Sequence, residues 1–563
     1  WPGLARLREA GEGVLGSGAR AADVLAFFGP ALPQTGAGAV ALVAAHRAEG
    51  HPGDAETLAI WAWLTLPLSA DEQAALLAHH GAALAPYRTA RLDAMLWQGE
   101  EGAARAMFGL VPAGWVRLAE ARLDLAAGKR GVDARIRAVP AALADDPGLA
   151  HARTAWRLGK GRADDAVELI LARSASAKTL GMPEKWAGWR RWLARDALRT
   201  GDAQTAYRIA ANHHLGPGAD YADLEWLAGY AALKLADPAR ALAHFTRLEA
   251  AVGSPISLGR AGYWRGRALE AMGQRTQAQA AYRAAATHQT SFYGQLAAER
   301  AGLAMSPELA GGERYPGWRS APFARSGVLE AAQLFAGAGE RTLAEIFLLH
   351  LAREAGAEAQ AQLAGLAFDL GEPHLALRIA KEAAGDGAIF PEAYFPLTDL
   401  ARKRHPVPTE LVLAIARRES EFDPAAISGA GARGLMQLLP STAEEVAGKL
   451  NMRFSTSALT ADPAYNATLG AAYLADLESS FGTNPVLLAA AYNAGPSRAR
   501  QWIAERGDPR GMRTDQVIDW IEAIPFTETR NYVMRVTEAL AVYRARLAGK
   551  AVPITLSQDL TRR

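Results

Sequence analysis

Over residues 1–390 apolar side chains recur at helical spacing, each stripe ends at a short break holding Gly or Asp, and the alternation of β-branched residues that marks strands is nearly absent. A chain written this way has to stack helices on helices. One internal match shows how: Trp226, Gly229 and Phe245 return as Tyr263, Gly266 and Tyr282, each 37 positions further on. In both copies a small residue falls where the two helices of a hairpin would cross. Looser copies appear at Ala155-Trp156-Arg157-Leu158 with Gly161 and Ala166, and at residues 366–371.

The spacing resembles degenerate tetratricopeptide-type repeats, whose helix pairs stack because one pair cannot bury its own apolar face. The expected product is a curved helical superhelix with a large concave surface. A chain of 563 residues also exceeds one ordinary core, since domains run about 100–200 residues. Pro316-Gly317, Pro322 and Ser326-Gly327 form the sharpest break, and beyond residue 390 the texture changes to Gly, Asn and Ser between short helices. We therefore expect a mainly α chain in three parts: a superhelical domain over 1–325, a small helical linker domain over 326–389, and a C-terminal domain over 390–563. Function belongs to the last, where loops are held by helices.

Composition narrows the chemistry. Half the residues are hydrophobic and 21% charged, which excludes a disordered or collagen-like chain. The formal net charge of +2 carries no nucleic-acid footprint. There is no cysteine, so disulfides, thiolate catalysis and Cys-ligated metals are excluded. The most apolar stretch, near residues 59–68, is broken by Thr65 and Pro67 and falls short of the ~20 residues of a transmembrane helix. The opening Trp1-Pro2 lacks a Met, which suggests a processed or trimmed start.

The chemistry-bearing positions cluster in the C-terminal region. Pro408 and Thr409 open a helix that ends before Asp423-Pro424. Leu411, Ile415 and Glu419 then share its interior face, so the Glu419 carboxyl is desolvated, which raises its pKa as a general acid requires. The small-residue run Ser428-Gly429-Ala430-Gly431-Ala432 suits close backbone approach to a ligand, with Ser428 offering a hydroxyl and Gln437 an amide. Ser441-Thr442-Ala443-Glu444 spells a capping box after Pro440. Gly495 suits a left-handed helix end that leaves Tyr492 and Asn493 at a helix mouth. Thr527 is placed to cap a further helix, with Glu528 and Tyr532 on one face.

Four blocks, Glu419-Ser420-x-Phe422-Asp423-Pro424, Ser428-x-Ala430-Gly431-Ala432-x-Gly434-Leu435-Met436-Gln437, Ala490-Ala491-Tyr492-Asn493-Ala494-Gly495 and Ile524-Pro525-Phe526-x-Glu528-Thr529-Arg530-x-Tyr532-Val533, resemble in order and spacing the signatures of soluble lytic transglycosylases. Ser291-Phe292-Tyr293-Gly294-Gln295-Leu296-Ala297 is similar to a block just before the linker domain in large members of that family. The resemblance implies a lysozyme-like α+β catalytic domain that cleaves the β-1,4 bond between N-acetylmuramic acid and N-acetylglucosamine of peptidoglycan without water, giving 1,6-anhydro products. Carried over by position, Glu419 is the single acid/base, Ser428 lies beside it, and Met436, Gln437, Tyr492, Asn493, Glu528 and Tyr532 line the glycan cleft. It further implies no cofactor and no metal, glycan strands and muropeptides as ligands, cell-wall proteins as partners of the superhelix, a monomer, and a Gram-negative periplasm. Leu439 departs from the family, which often has Met there.

Blander readings stand beside these. Taken alone, Glu419 reads as an ion-pair partner of Arg417 or Arg418, Glu421, Asp423 and Glu528 as possible second carboxylates, Tyr492 and Tyr532 as core aromatics, and Glu528 as a first-turn charge. Two rival enzymatic and non-enzymatic readings are a hydrolytic muramidase of goose-lysozyme type and a scaffold with a vestigial catalytic domain. Gly11-Glu12-Gly13-Val14-Leu15-Gly16 spells a dinucleotide fingerprint without a preceding strand, and His79-His80 and His213-His214 lack metal-site spacing, so these are set aside.

Overall fold

The computed structural model describes residues 1–15 and 19–563, and among them helices and short 3-10 turns are the regular structure. The chain packs as two compact units: Trp1–Leu193 with Asn212–Gly216, and Ala194–Ala211 with Pro217–Arg563. No helix among the described residues is long and apolar enough to cross a membrane.

The first unit builds its core around Trp63, Leu92 and Met95, with a second cluster at Leu118, Leu125 and Leu149. Arg91 is buried there and donates to the carbonyls of Trp63 (2.5 Å) and Leu66 (3.2 Å), satisfying acceptors left over at the end of the helix Pro52–Thr65. The glycine-rich spelling near the start closes the helix Leu4–Glu12, where buried Glu12 accepts from the Gln34 (2.8 Å) and Thr35 (2.7 Å) amides; Gly16 lies outside the described residues. The histidine pairs serve surface and packing: His79 is exposed, His80 is buried, and His213 and His214 bond backbone groups of Leu215 and Ser174.

In the second unit the 37-residue match becomes two consecutive hairpins, Ala219–Lys234 with Pro238–Ala251 and Pro255–Ala271 with Arg275–Ala285. A Cβ on Gly229 would collide with the Phe245 ring, and one on Gly266 with that of Tyr282. Each glycine thus seats the aromatic of its partner helix. Asp237 and Ser254 cap the second and third of these helices.

After short 3-10 turns at Trp318–Ser320 and Pro322–Arg325, Ser326 caps Gly327–Gly337, and the helices Arg341–Arg353, Ala357–Asp369 and Pro373–Gly385 follow. Beyond them Thr409–Glu419 packs along the 22-residue helix Thr527–Ala548, which also carries Pro485–Ala494. The expected β part of this region is reduced to two isolated antiparallel bridges, Ile427 with Arg433 and Arg433 with Leu438. Positive φ at Gly431 and Gly434 turns the loop too tightly for a ladder to extend. Two caps also differ from expectation. Pro440 itself begins its helix without a capping box, and Thr527 is the first helical residue, its hydroxyl accepting from Arg530.

Candidate active site

Leu411 and Ile415 are buried on the face that Glu419 extends, and Glu419 is the last residue of its helix. Burial pushes its carboxyl up to about 7, only partly offset by the Tyr532 hydroxyl and Arg418 and reinforced by the charge of Glu528. Tyr532, 2% exposed, donates to Glu419 Oε1 at 2.7 Å. Among the described residues Glu419 forms no ion pair. Arg417 instead donates to the Tyr394 carbonyl at 2.8 Å and stacks over Tyr394 and Phe395. Glu419 is therefore a half-buried carboxyl, its protonated form favoured by burial, with one donating phenol.

The chain turns sharply after it. Glu421 (φ 54°) and Phe422 (φ 68°) are both left-handed without being glycine, and so is Gln437 (φ 48°) in the facing loop. Buried Ser420 ties the two segments by donating to the Leu435 carbonyl at 2.7 Å. Gln437 donates through Nε2 to the carbonyls of Ala426 (3.0 Å) and Gly434 (2.9 Å), so its amide braces the loop. Ser428 is exposed, and its Oγ accepts from the Ala432 amide at 3.0 Å rather than bonding Glu419.

Met436 differs from expectation. Its side chain is fully buried, packed where a Cβ on Gly470 would collide with it, so the sulfur is not offered to a ligand. Only its backbone faces the other site residues: the carbonyl accepts from the Tyr492 hydroxyl at 2.8 Å, and the amide donates to Asn466 Oδ1 at 2.8 Å. Asn466, not singled out from the sequence, is wholly buried and also donates to the carbonyls of Arg433 (2.8 Å) and Leu459 (3.0 Å). The signal was a polar residue inside the apolar stripe of the helix Pro463–Phe481.

Tyr492 is half-buried with its ring 5.4 Å from that of Tyr473, and Asn493 Oδ1 accepts from the Thr529 hydroxyl at 2.6 Å. Glu528 is exposed. The other two acids are engaged. Glu421 bonds Lys381, and its carboxyl, though pushed up by burial, is held below the ordinary range by Lys381, Arg378 and His374. Asp423 accepts from the Ala425 amide at 3.0 Å. Among the described residues the grouping with metal-ligand spacing is His46, His51 and Asp54, in the first unit rather than at this site.

A second buried cluster fixes the region against the preceding hairpins. Glu522, 4% exposed, accepts from Tyr293 (2.6 Å), Arg260 (2.8 Å) and Arg195 (3.3 Å), with Arg530 at 3.7 Å. Burial alone would raise this carboxyl; Arg260, Arg195 and Arg530 outweigh it and hold it at about 2. The block at residues 291–297 supplies the matching contacts: Ser291 caps its helix, the Phe292 amide donates to Glu538 at 2.6 Å, and Gln295 donates to the Glu538 carbonyl at 2.8 Å.

Residues 397–512 match the family described as the transglycosylase SLT domain. The chain is 38% identical over 162 residues to the soluble lytic murein transglycosylase of Escherichia coli K12, an alignment covering 29% of this chain and 24% of that protein. It is 36% identical over 169 residues to a putative soluble lytic murein transglycosylase of Haemophilus influenzae, covering 30% and 28%. The matched part thus spans about a quarter of these relatives' length. Over almost the whole chain the fold is similar to two solved structures. One is an inactive Glu-to-Gln mutant of the lytic transglycosylase Slt from Pseudomonas aeruginosa (TM-score 0.70, 24% identity, 98% of this chain and 88% of that one). The other is the 70 kDa soluble lytic transglycosylase of Escherichia coli (TM-score 0.67, 24% identity, 99% and 88%). Residues 397–512 accordingly match the transglycosylase SLT domain, and the chain's helical fold is similar to that of these two solved lytic transglycosylases.

Proposed function

We propose that this chain is a lytic transglycosylase that cleaves the β-1,4 bond between N-acetylmuramic acid and N-acetylglucosamine in peptidoglycan, with Glu419 as its single acid/base. The observation that carries the reading is a carboxyl raised to about 7 in an SLT domain, with Tyr532 as its hydrogen-bonding partner and the nearby acids Glu421 and Asp423 already engaged. Ordinary glycosidases use two carboxylates, one to protonate and one to attack or to activate water. A single acid suffices when the attacking hydroxyl belongs to the substrate. Protonated Glu419 gives its proton to the glycosidic oxygen as the bond to C1 breaks. The carboxylate then takes the proton of the muramoyl C6 hydroxyl, whose oxygen closes on C1. The product is a 1,6-anhydro sugar, no water is consumed, and Glu419 ends as it began. A group that must be acid and then base works best with its pKa near the working pH.

In this reading Tyr532 orients Glu419, and Ser428, Gln437, Tyr492, Asn493 and Glu528 line the cleft, with Met436 acting through its backbone. Residues 1–325 form a substrate- or partner-holding superhelical domain, 326–389 a linker and 390–563 the catalytic domain, in a monomer working in the periplasm of a Gram-negative cell.

Mass spectrometry of muropeptides released from purified peptidoglycan tests the reaction. Products lighter by one water than the reducing sugars support it; hydrated ends would make the chain a hydrolytic muramidase. Glu419→Gln is expected to slow release by about 10²–10⁴-fold, and undiminished release would remove Glu419 from its role.

A further inference from the structure

The turn that follows Glu419 is held from outside the SLT domain. Glu421 and Phe422 both lie in the left-handed region, which L-residues adopt only where their surroundings compel it. Phe422 is fixed by burial at 3% exposure. Glu421 is gripped by the helix Pro373–Gly385, which carries His374, Arg378 and Lys381 at successive helical turns on one face. His374 Nδ1 donates to the Glu421 carbonyl at 3.0 Å, Lys381 bonds its Oε1, and Arg378 Nε stands 3.4 Å from its Oε2. One grip therefore fixes the backbone of the strained residue and two fix its side chain.

The gripping face is itself braced. Glu345, on the helix Arg341–Arg353, lies 3.5 Å from His374 Nε2 and 3.0 Å from Arg378 Nη1. Burial pulls His374 down, but Glu345 and the Glu421 carbonyl outweigh it and shift the ring upward, which favours the form that donates from both nitrogens. Arg341, on the same helix as Glu345, reaches Asp423 at 3.7 Å. Two helices of the region between residues 327 and 385 thus converge on Glu421 and Asp423, which flank Phe422.

From this geometry we infer that His374, supported by Arg378 and Lys381, is a positioning residue: it pins the left-handed turn at Glu421 and thereby fixes the helix end that carries Glu419. The region between residues 327 and 385 is then part of the catalytic apparatus rather than a spacer. Released from the grip, Glu421 relaxes toward negative φ and the carboxyl of Glu419 loses its registration against Tyr532. This rests on the reading of Glu419 as the acid.

Two measurements on the full chain test it. Peptide-level hydrogen exchange reads the turn directly, and steady-state muropeptide release reads its consequence. His374→Ala is expected to speed exchange around Ser420 to Asp423 and to lower kcat about 10- to 100-fold with KM nearly unchanged, the signature of misplaced chemistry rather than lost binding. His374→Asn, whose amide nitrogen takes the place of Nδ1, restores both. Lys381→Met, at a half-exposed position that folding tolerates, moves both in the same direction by a smaller factor. The inference is overturned if His374→Ala leaves exchange and kcat as they were, or if Ala and Asn lower kcat alike with exchange unchanged. Undiminished release by Glu419→Gln would sink the acid reading instead, and hydrogen exchange would still decide whether His374 holds the turn.

Discussion

Tyr532→Phe is the most informative single change at the site. The phenol donates to Glu419 Oε1 at 2.7 Å, and the ring it belongs to is buried at 2% exposure, so Phe fills the same space and removes only the donor. Hydrogen bonds to an ionised acceptor are roughly twice as strong as neutral ones, so the bond favours carboxylate over acid. Its loss costs the ion about 1.5–3 kcal/mol. The acid form loses only about half as much, so at 1.36 kcal/mol per unit the difference raises Glu419 by about 0.5–1 unit from its starting point of about 7. The sign follows from the chemistry: Glu419 must be protonated to start the reaction, so the alkaline limb of kcat moves upward. Muropeptide release followed from weakly acidic to strongly alkaline pH, with product masses checked at each point, measures the shift. General damage to the site would lower the rate at every pH without moving the limb. An alkaline limb at the wild-type position, or below it, would refute the claim that this hydroxyl stabilises the Glu419 carboxylate.

Two further expectations concern stability. Because the folded pKa of Glu419, about 7, lies above the ordinary 4.5, the folded chain binds the proton more tightly, and stability falls as pH rises from 4.5 to 7. Glu419→Gln is expected to flatten that slope and to be the more stable protein above neutrality, read from urea melts at several pH values; parallel profiles for the two proteins would contradict the raised pKa. Glu522 has the opposite sign: held at about 2, it contributes stability that is complete above 4.5 and lost as pH falls toward 2. Glu522→Gln leaves Arg195, Arg260 and Arg530 without their shared counter-ion and is expected to cost about 3–5 kcal/mol at neutral pH. A change below about 1 kcal/mol would place the cluster among ordinary surface pairs.

Reading the sequence succeeded where the controlling interaction is local. The 37-residue match placed Gly229 and Gly266 opposite ring-bearing partners because a helix crossing tolerates only a small residue there, whatever lies beyond it. The helix carrying Glu419 was legible from Pro408 to its end for the same reason. Caps were less legible: Pro440 and Thr527 begin their helices without the side-chain bonds their neighbours spell, since proline preorganises the first turn and Arg530 takes the threonine hydroxyl. Met436 was misread because a motif records which residue is present and not which way it points. Asn466 was missed because its three partners, Arg433 and Met436 in one loop and Leu459 in the short helix Ala458–Ala461, come together by an approach no periodicity encodes.

What the sequence determined by itself is the helical architecture, the interior placement of Glu419 and the order of the blocks around it, because each follows from spacing along one element. The tertiary structure alone decided that the donor to Glu419 is Tyr532, 113 residues away, that burial lifts this carboxyl to about 7, and that His374 grips the turn behind it. Desolvation and long-range pairing depend on which faces meet when helices pack, and a spacing of three or four residues says which face a side chain is on but not what will cover it.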